Sequence, residues 1–193
     1  MNRLLILILT TIFIVSCDNK KDSQKEIIQS DFDFAASQLT FAMAEVDKSI
    51  AGESVESREK REKKGHGPLV SPRSIDEEGN LILVPSRDWT SGFFPGELWY
   101  MYEYTKDPKW EQAARKYTAP IEREKINGIT HDMGFKVYCS FGNGYRLTKD
   151  EKYKEILLES AYTLTTRYKP NAKIIRSWEH SRDKWDCPVI IDN

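Results

Sequence analysis

The chain repeats itself at an offset of 43 residues, and each repeat reads as a pair of helices. Thr105-Lys106-Asp107-Pro108-Lys109-Trp110 returns as Thr148-Lys149-Asp150-Glu151-Lys152-Tyr153. A period of this length fits two helices with their connections. Both copies read as a short turn that opens a one-sided helix. Thr148 and Glu151 have capping-box spacing, and Pro108 takes a first-turn position where its missing N–H costs nothing. After the turns, Trp110, Ala113, Ala114, Tyr117 and Ile121, and then Tyr153, Ile156, Leu157, Ala161 and Leu164, fall at helical spacing among charged residues. The segments before the turns differ. Residues 93–104 are apolar on nearly every face, and 133–147 are apolar with Gly134, Gly142 and Gly144 inserted, which predicts enclosed helices. Residues 34–50 form an earlier amphipathic helix, with Ala35, Leu39, Ala42, Met43, Val46 and Ile50 on its stripe. Alternating enclosed and one-sided helices imply an inner and an outer layer. The chain is therefore all-α, arranged as an α/α toroid or as a solenoid of stacked helix pairs. Residues 52–87 lack helical period and predict a long loop with a small hairpin near 81–84, of the kind that dresses a binding site.

The first sixteen residues do not fit this scheme. Arg3 precedes an apolar run over 4–15, which is short for a membrane span and reads as a secretory signal. Ile14-Val15-Ser16-Cys17 resembles the bacterial lipobox, which makes Cys17 the expected lipidation site and places the protein in a bacterial cell envelope. Membrane contact is then expected through that lipid anchor only. Residues 17–30 are charged and polar and predict a flexible tether, leaving 31–193 for the helical domain. Of the remaining cysteines, Cys139 falls within an apolar helix and is expected as a buried free thiol. The cysteine and histidine spacings suggest no metal site and no cofactor. A net charge of -1 gives no footprint for nucleic acid. Five tryptophans suit a surface that stacks on sugar rings, although cores use them too. Trp185 reads as core.

Two acids stand at the starts of enclosed helices. Asp132 lies in Thr130-His131-Asp132-Met133-Gly134-Phe135, and Asp192 in Val189-Ile190-Ile191-Asp192-Asn193. With Trp89, both follow loops predicted at the same end of the helical array, facing one cavity. An acid at a helix start is ordinarily a cap that stays ionised. Two acids that converge must instead share a proton, and can then serve as acid and base by turns. His131 reads either as a substrate contact or as an ordinary first-turn histidine. Trp178, with Arg176 and His180 nearby, reads either as a wall of the sugar site or as local loop packing.

Taken in order, Asp88-Trp89-Thr90-Ser91-Gly92-Phe93-Phe94-Pro95-Gly96, Leu98-Trp99-Tyr100, His131-Asp132-Met133-Gly134-Phe135 and Ile191-Asp192-Asn193 resemble glycoside hydrolase family 88, the unsaturated glucuronyl hydrolases. The likeness runs from about Phe32 to the last residue. It implies a six-hairpin α/α toroid of which this chain covers about the first half. It also implies release of the Δ4,5-unsaturated uronic acid from the non-reducing end of lyase-generated oligosaccharides, by hydration of a vinyl ether. On the family pattern Asp192 is the general acid and base, Asp132 its catalytic partner, and Trp89, His131 and Trp178 contact substrate. An unsaturated uronic-acid oligosaccharide is the implied partner.

The departure from the family is length. The chain provides two clear hairpins, an earlier helix and the start of a further one, where the family's ring has six hairpins. The expectation is therefore a partial sequence whose inner helices leave apolar flanks uncovered and which is unstable and inactive as an isolated fragment. Two other readings compete: an unsaturated rhamnogalacturonyl hydrolase-like enzyme, and a non-catalytic, lipid-anchored sugar-binding remnant.

Overall fold

A computed structural model describes the backbone of residues 2–191 and the side chains of residues 23–191. Two units are distinguished, Met1–Phe41 and Ala42–Asn193. The first is the leading part of helix α1 (Asn2–Ala51), with a Gln29 to Asp33 side-chain hydrogen bond of 2.8 Å one turn apart. The segment 17–30, expected as a flexible tether, has helical backbone within α1. Its lysines, glutamines and glutamate are good helix formers with no proline or glycine among them, and this local propensity needs no packed core.

In the second unit, helix α2 (Val55–Lys63) occupies part of the predicted long loop. It buries no residue, so the apolar periodicity that reveals other helices is absent. Local groups hold it instead. Ser54 accepts the Ser57 N–H at the N-cap, and Arg61 binds Glu53 through Nη2 at 2.7 Å. The predicted hairpin forms from β1 (Leu69–Ile75) and β2 (Leu81–Pro85), antiparallel, pairing Ile75 with Leu81 and Leu69 with Pro85.

The repeat folds as expected: α3 (Phe93–Thr105) returns as α4 (Pro108–Thr118), continued by a 3-10 helix (Ala119–Ile126). The second inner helix is a nine-residue π-helix (Gly134–Gly142) that runs on into α5 (Asn143–Thr148), and α6 (Glu151–Thr165) returns outside it. α3 packs on the π-helix and α6 on the 3-10 helix, which gives the two layers. A small ribbon, β3 (Tyr168–Lys169) with β4 (Ile174–Ile175), follows.

The repeated Thr-Lys-Asp turn works residue by residue. Thr105 and Thr148 donate to the carbonyls of Met101 and Gly144 four residues back, which ends each inner helix. Lys106 and Lys149 then take the left-handed conformation, at φ 58° and 59°. Asp107 and Asp150 cap the outer helices by accepting the Lys109 and Lys152 N–H groups. The capping box expected from Thr148 and Glu151 does not form, because Asp150 is the N-cap and Thr148 already bonds within the helix before it.

Between the layers, Trp99 is fully buried and donates Nε1–H to Thr118 Oγ1 at 3.1 Å. Its ring meets Tyr153 edge to face, and the Arg115 guanidinium covers both rings while binding Glu111 and Asp150 at 2.9 Å each. Phe94 packs edge to face on Tyr117, whose hydroxyl donates to Asp47 Oδ1 at 2.9 Å. On the inner helices Phe93, Tyr100 and Tyr138 stay exposed. Trp185 is not core: it is 53% exposed, in the turn after Ser181.

Two features of α3 fix the loop that precedes it. Gly92 and Gly96 sit one turn apart against the π-helix backbone, and a Cβ on Gly92 would lie 2.1 Å from the Phe135 carbonyl oxygen. Behind the loop runs a chain of fully buried hydroxyls. Ser71 donates to the Ser91 carbonyl, Ser91 to the Ser86 carbonyl, and Ser86 to Glu124 Oε1, at 2.6, 2.8 and 2.7 Å. Glu124 Oε2 accepts from Asn127 at 2.7 Å and lies 3.8 Å from the fully buried Lys136 ammonium. That ammonium has no hydrogen-bond partner among the described residues. Burial, only partly offset by Glu124 and Asp132, holds the Lys136 ammonium below its ordinary value of 10.5.

Two predictions follow from these local arrangements. Lysine in the left-handed region carries a steric cost that glycine avoids, so Lys149→Gly should stabilise the fold by up to about 1 kcal/mol in chemical denaturation. Removing Glu124 strands a buried charge, so Glu124→Ala should cost about 3–5 kcal/mol, whereas replacing both ions, as in Glu124→Gln with Lys136→Met, should be neutral or stabilising. Because the native state lowers the lysine value, folding expels a proton between that value and 10.5. The advantage of the double variant over the unsubstituted protein should therefore shrink as pH rises through this window, which melts recorded across the pH series would reveal.

Candidate active site

The loop before α3 presents Trp89. Asp88 shapes this loop by accepting the Thr90 N–H and hydroxyl at 2.9 and 2.7 Å, and it is bound by Arg73 Nη1 at 2.5 Å. The Arg73 guanidinium also lies over the Trp89 ring, 5.8 Å from its centroid. Trp89 is 43% exposed and meets Phe93 and Phe135 edge to face at 5.9 and 5.7 Å. Phe93 and Phe135 meet each other at 5.6 Å, so three rings, one from the loop and one from each inner helix, form one aromatic cluster.

Phe135 carries that cluster to the second helix start. A cavity of about 270 Å³ there is lined by His131, Asp132, Gly134, Phe135, Tyr138 and Cys139. Asp132 stands at its mouth, just before the helix. Its Oδ2 accepts the Thr130 hydroxyl, and its Oδ1 lies 3.4 Å from His131 Nε2. The carboxylate is thus engaged by its own loop, by a hydroxyl on one side and an imidazole on the other. Such a carboxylate is set to accept a further hydrogen bond from a ligand hydroxyl or from a second, protonated acid. Cys139, expected as a buried free thiol, is free and half-buried at the cavity wall, and burial pushes its thiol up.

His131 is buried, and its N–H donates to the Ser177 carbonyl at 3.0 Å. Its ring meets Trp178 edge to face at 6.1 Å, and Trp178 is stacked on His180 at 4.9 Å. Arg176 is occupied by Glu179, which also binds Arg167 and Arg182. Arg167 stitches this loop down: Nε donates to the Arg176 carbonyl and Nη1 to the Gly128 carbonyl, at 2.7 and 2.6 Å. His131 Nδ1, Trp178 Nε1, Arg176 Nε and Arg167 Nη2 are buried without a hydrogen-bond partner among the described residues.

His131, Asp132 and Trp178 therefore come together, and Trp89 joins them through Phe135. Asp192 and the Cys17 side chain lie outside the described residues. Thr130, Arg73, Phe135 and Ser177 were not singled out from sequence. Thr130 alone had a signal, as a hydroxyl two residues before an acid.

No family model matches the chain. Among curated proteins it is 52% identical over 124 residues to an unsaturated glucuronyl hydrolase of Formosa agariphila, covering 63% of this chain and 31% of that protein. It is 32% identical over 113 residues to an unsaturated chondroitin disaccharide hydrolase of Streptococcus agalactiae, covering 57% of this chain and 28% of that protein. Among solved structures, an unsaturated glucuronyl hydrolase specific for heparin superposes with a TM-score of 0.61 at 41% identity, over 69% of this chain and 35% of that one. Unsaturated glucuronyl hydrolase structures of this kind are α/α barrels. The chain spans about a third of their length, less than the half expected from helix counting. Over about two thirds of its own residues, then, this chain is similar in sequence and in fold to part of the unsaturated glucuronyl hydrolases, the enzymes of glycoside hydrolase family 88.

Proposed function

We propose that the protein releases the Δ4,5-unsaturated uronic acid from the non-reducing end of oligosaccharides made by polysaccharide lyases. The observation that carries this reading is Asp132, held by Thr130 and His131 at the mouth of a cavity that shares Phe135 with the exposed Trp89. Aromatic faces suit the apolar faces of sugar rings, and a tethered carboxylate suits proton chemistry beside them.

In the proposed reaction a protonated acid, Asp192, gives its proton to C4 of the C4=C5 double bond. The positive charge that develops at C5 is shared with the ring oxygen. Water adds at C5 and returns a proton to the same carboxylate, so the acid is regenerated and one water is consumed. The resulting hemiketal opens, and the sugar chain leaves with formation of an open-chain keto acid. Protonating carbon at neutral pH needs an acid that stays protonated. That requirement is met if Asp132 and Asp192 share one proton, so that the pair keeps one carboxyl in its acid form.

We also propose that residues 1–16 are a leader, that Cys17 carries lipid, and that the mature protein is anchored in a bacterial cell envelope. The Ile14-Val15-Ser16-Cys17 sequence supports this.

In the full chain, Asp192→Asn should abolish loss of the ultraviolet absorbance of an unsaturated disaccharide while leaving its binding largely intact. Asp132→Asn should lower kcat by at least about 100-fold, the scale of losing an acid–base partner. Near-normal turnover in both variants would remove the reaction assignment. For the anchor, a clickable fatty acid fed to producing cells should label the protein, and Cys17→Ala should lose both the label and the membrane association. Labelling that survives the substitution would remove the anchor.

A further inference from the structure

Resting on the reading of Asp132 and Asp192 as the reacting acids, we infer that Ser177 is a positioning residue that ties together the two segments carrying them. Ser177 is fully buried, and all its polar groups face outward to other loops. Its carbonyl accepts the N–H of His131, the residue before Asp132, at 3.0 Å. Its own N–H donates to the Pro188 carbonyl at 2.8 Å, and its Oγ accepts the Ile190 N–H at 3.1 Å. Ile190 stands two residues before Asp192 in the chain. One residue thus bonds the approach to each acid, through three hydrogen bonds with no spare backbone group.

Further contacts keep Ser177 itself from moving. Arg167, with its side chain 2% exposed, holds the carbonyls of Gly128 and Arg176, and the Arg176 N–H returns to the Arg167 carbonyl at 3.2 Å. The loop before Asp132 and the residue before Ser177 are therefore pinned to one rigid guanidinium. On the other side, the Trp178 ring packs on His131. A turn residue serving only its own loop would bond within that loop. The Ser177 bonds run instead to residue 131 and to residues 188 and 190, on opposite sides of it in the sequence. Displacements of about 1 Å at a reacting group can cost about 100-fold in rate, so a tie of this kind is felt in catalysis even though Ser177 touches no substrate.

The test uses Ser177→Ala and Ile190→Pro in the full chain. The first removes the hydroxyl acceptor and the second removes the N–H that donates to it. Amide hydrogen exchange in Ser177→Ala should rise together over residues 130–133 and 188–191. A rise confined to 188–191 would overturn the tie. In kinetics, kcat should fall by about 10- to 100-fold with KM changed by less than about threefold, and the pH–rate profile should move. The two substitutions should be non-additive in a double-mutant cycle, since they break one bond. Additive losses, or a fall in melting temperature with an unmoved pH profile, would overturn the positioning role. If the unsubstituted chain shows no turnover, the functional reading falls, while the exchange result still decides whether Ser177 couples the segments.

Discussion

The site depends on how closely two inner helices approach one another. At Gly92 and Gly96 the backbone of α3 lies against the carbonyls of Phe135, Lys136 and Cys139, closer than any side chain allows. That approach brings Phe93 onto Phe135 and so draws the Trp89 loop and the Asp132 loop to the same aromatic cluster. The glycines in the Ser91-Gly92-Phe93-Phe94-Pro95-Gly96 block thus serve packing before they serve chemistry. Their positions are set by a neighbour about forty residues away in sequence.

Polar groups buried behind the loop do the complementary work. Ser71, Ser91, Ser86 and Glu124 form an unbroken hydrogen-bonded chain from the hairpin to the 3-10 helix. Such a network fixes one arrangement, because any shift leaves a donor or acceptor unpaired in the dry interior. Lys136 is the exception. It is a buried cation with an acid at 3.8 Å and no hydrogen bond among the described residues, directly beneath Asp132 in the helix. Its charge and that of the Asp132 carboxylate act on each other across that turn.

Much of this was legible in the residues, for reasons that also explain the misses. The repeat, the two layers and the ends of the inner helices follow from apolar spacing and from Thr-Lys-Asp, because both are local signals. The choice of Asp150 over Thr148 as N-cap was not legible, since each residue has capping chemistry and only the backbone decides between them. Helix α2 lacked an apolar stripe, and the π-helix differs from an α-helix in hydrogen-bond register rather than in composition. Asp132 and His131 were legible as chemistry-bearing types beside a helix start, and Trp178 as an aromatic in a loop. The roles of Arg167 and Ser177 were not, because they act through backbone groups of loops far apart in sequence.

The two rims of the helical array are built very differently. At one, inner and outer helices are joined by Lys106-Asp107 and Lys149-Asp150, where a left-handed residue is followed at once by a cap. At the other, the connections are long, carry ribbons, and hold Trp89, Asp132 and Ser177. The tight rim tolerates little insertion without losing a helix end, so it conserves the scaffold. Diversification of substrate range within such a fold is therefore channelled to the opposite rim, where loops can lengthen or exchange residues and leave the helices undisturbed.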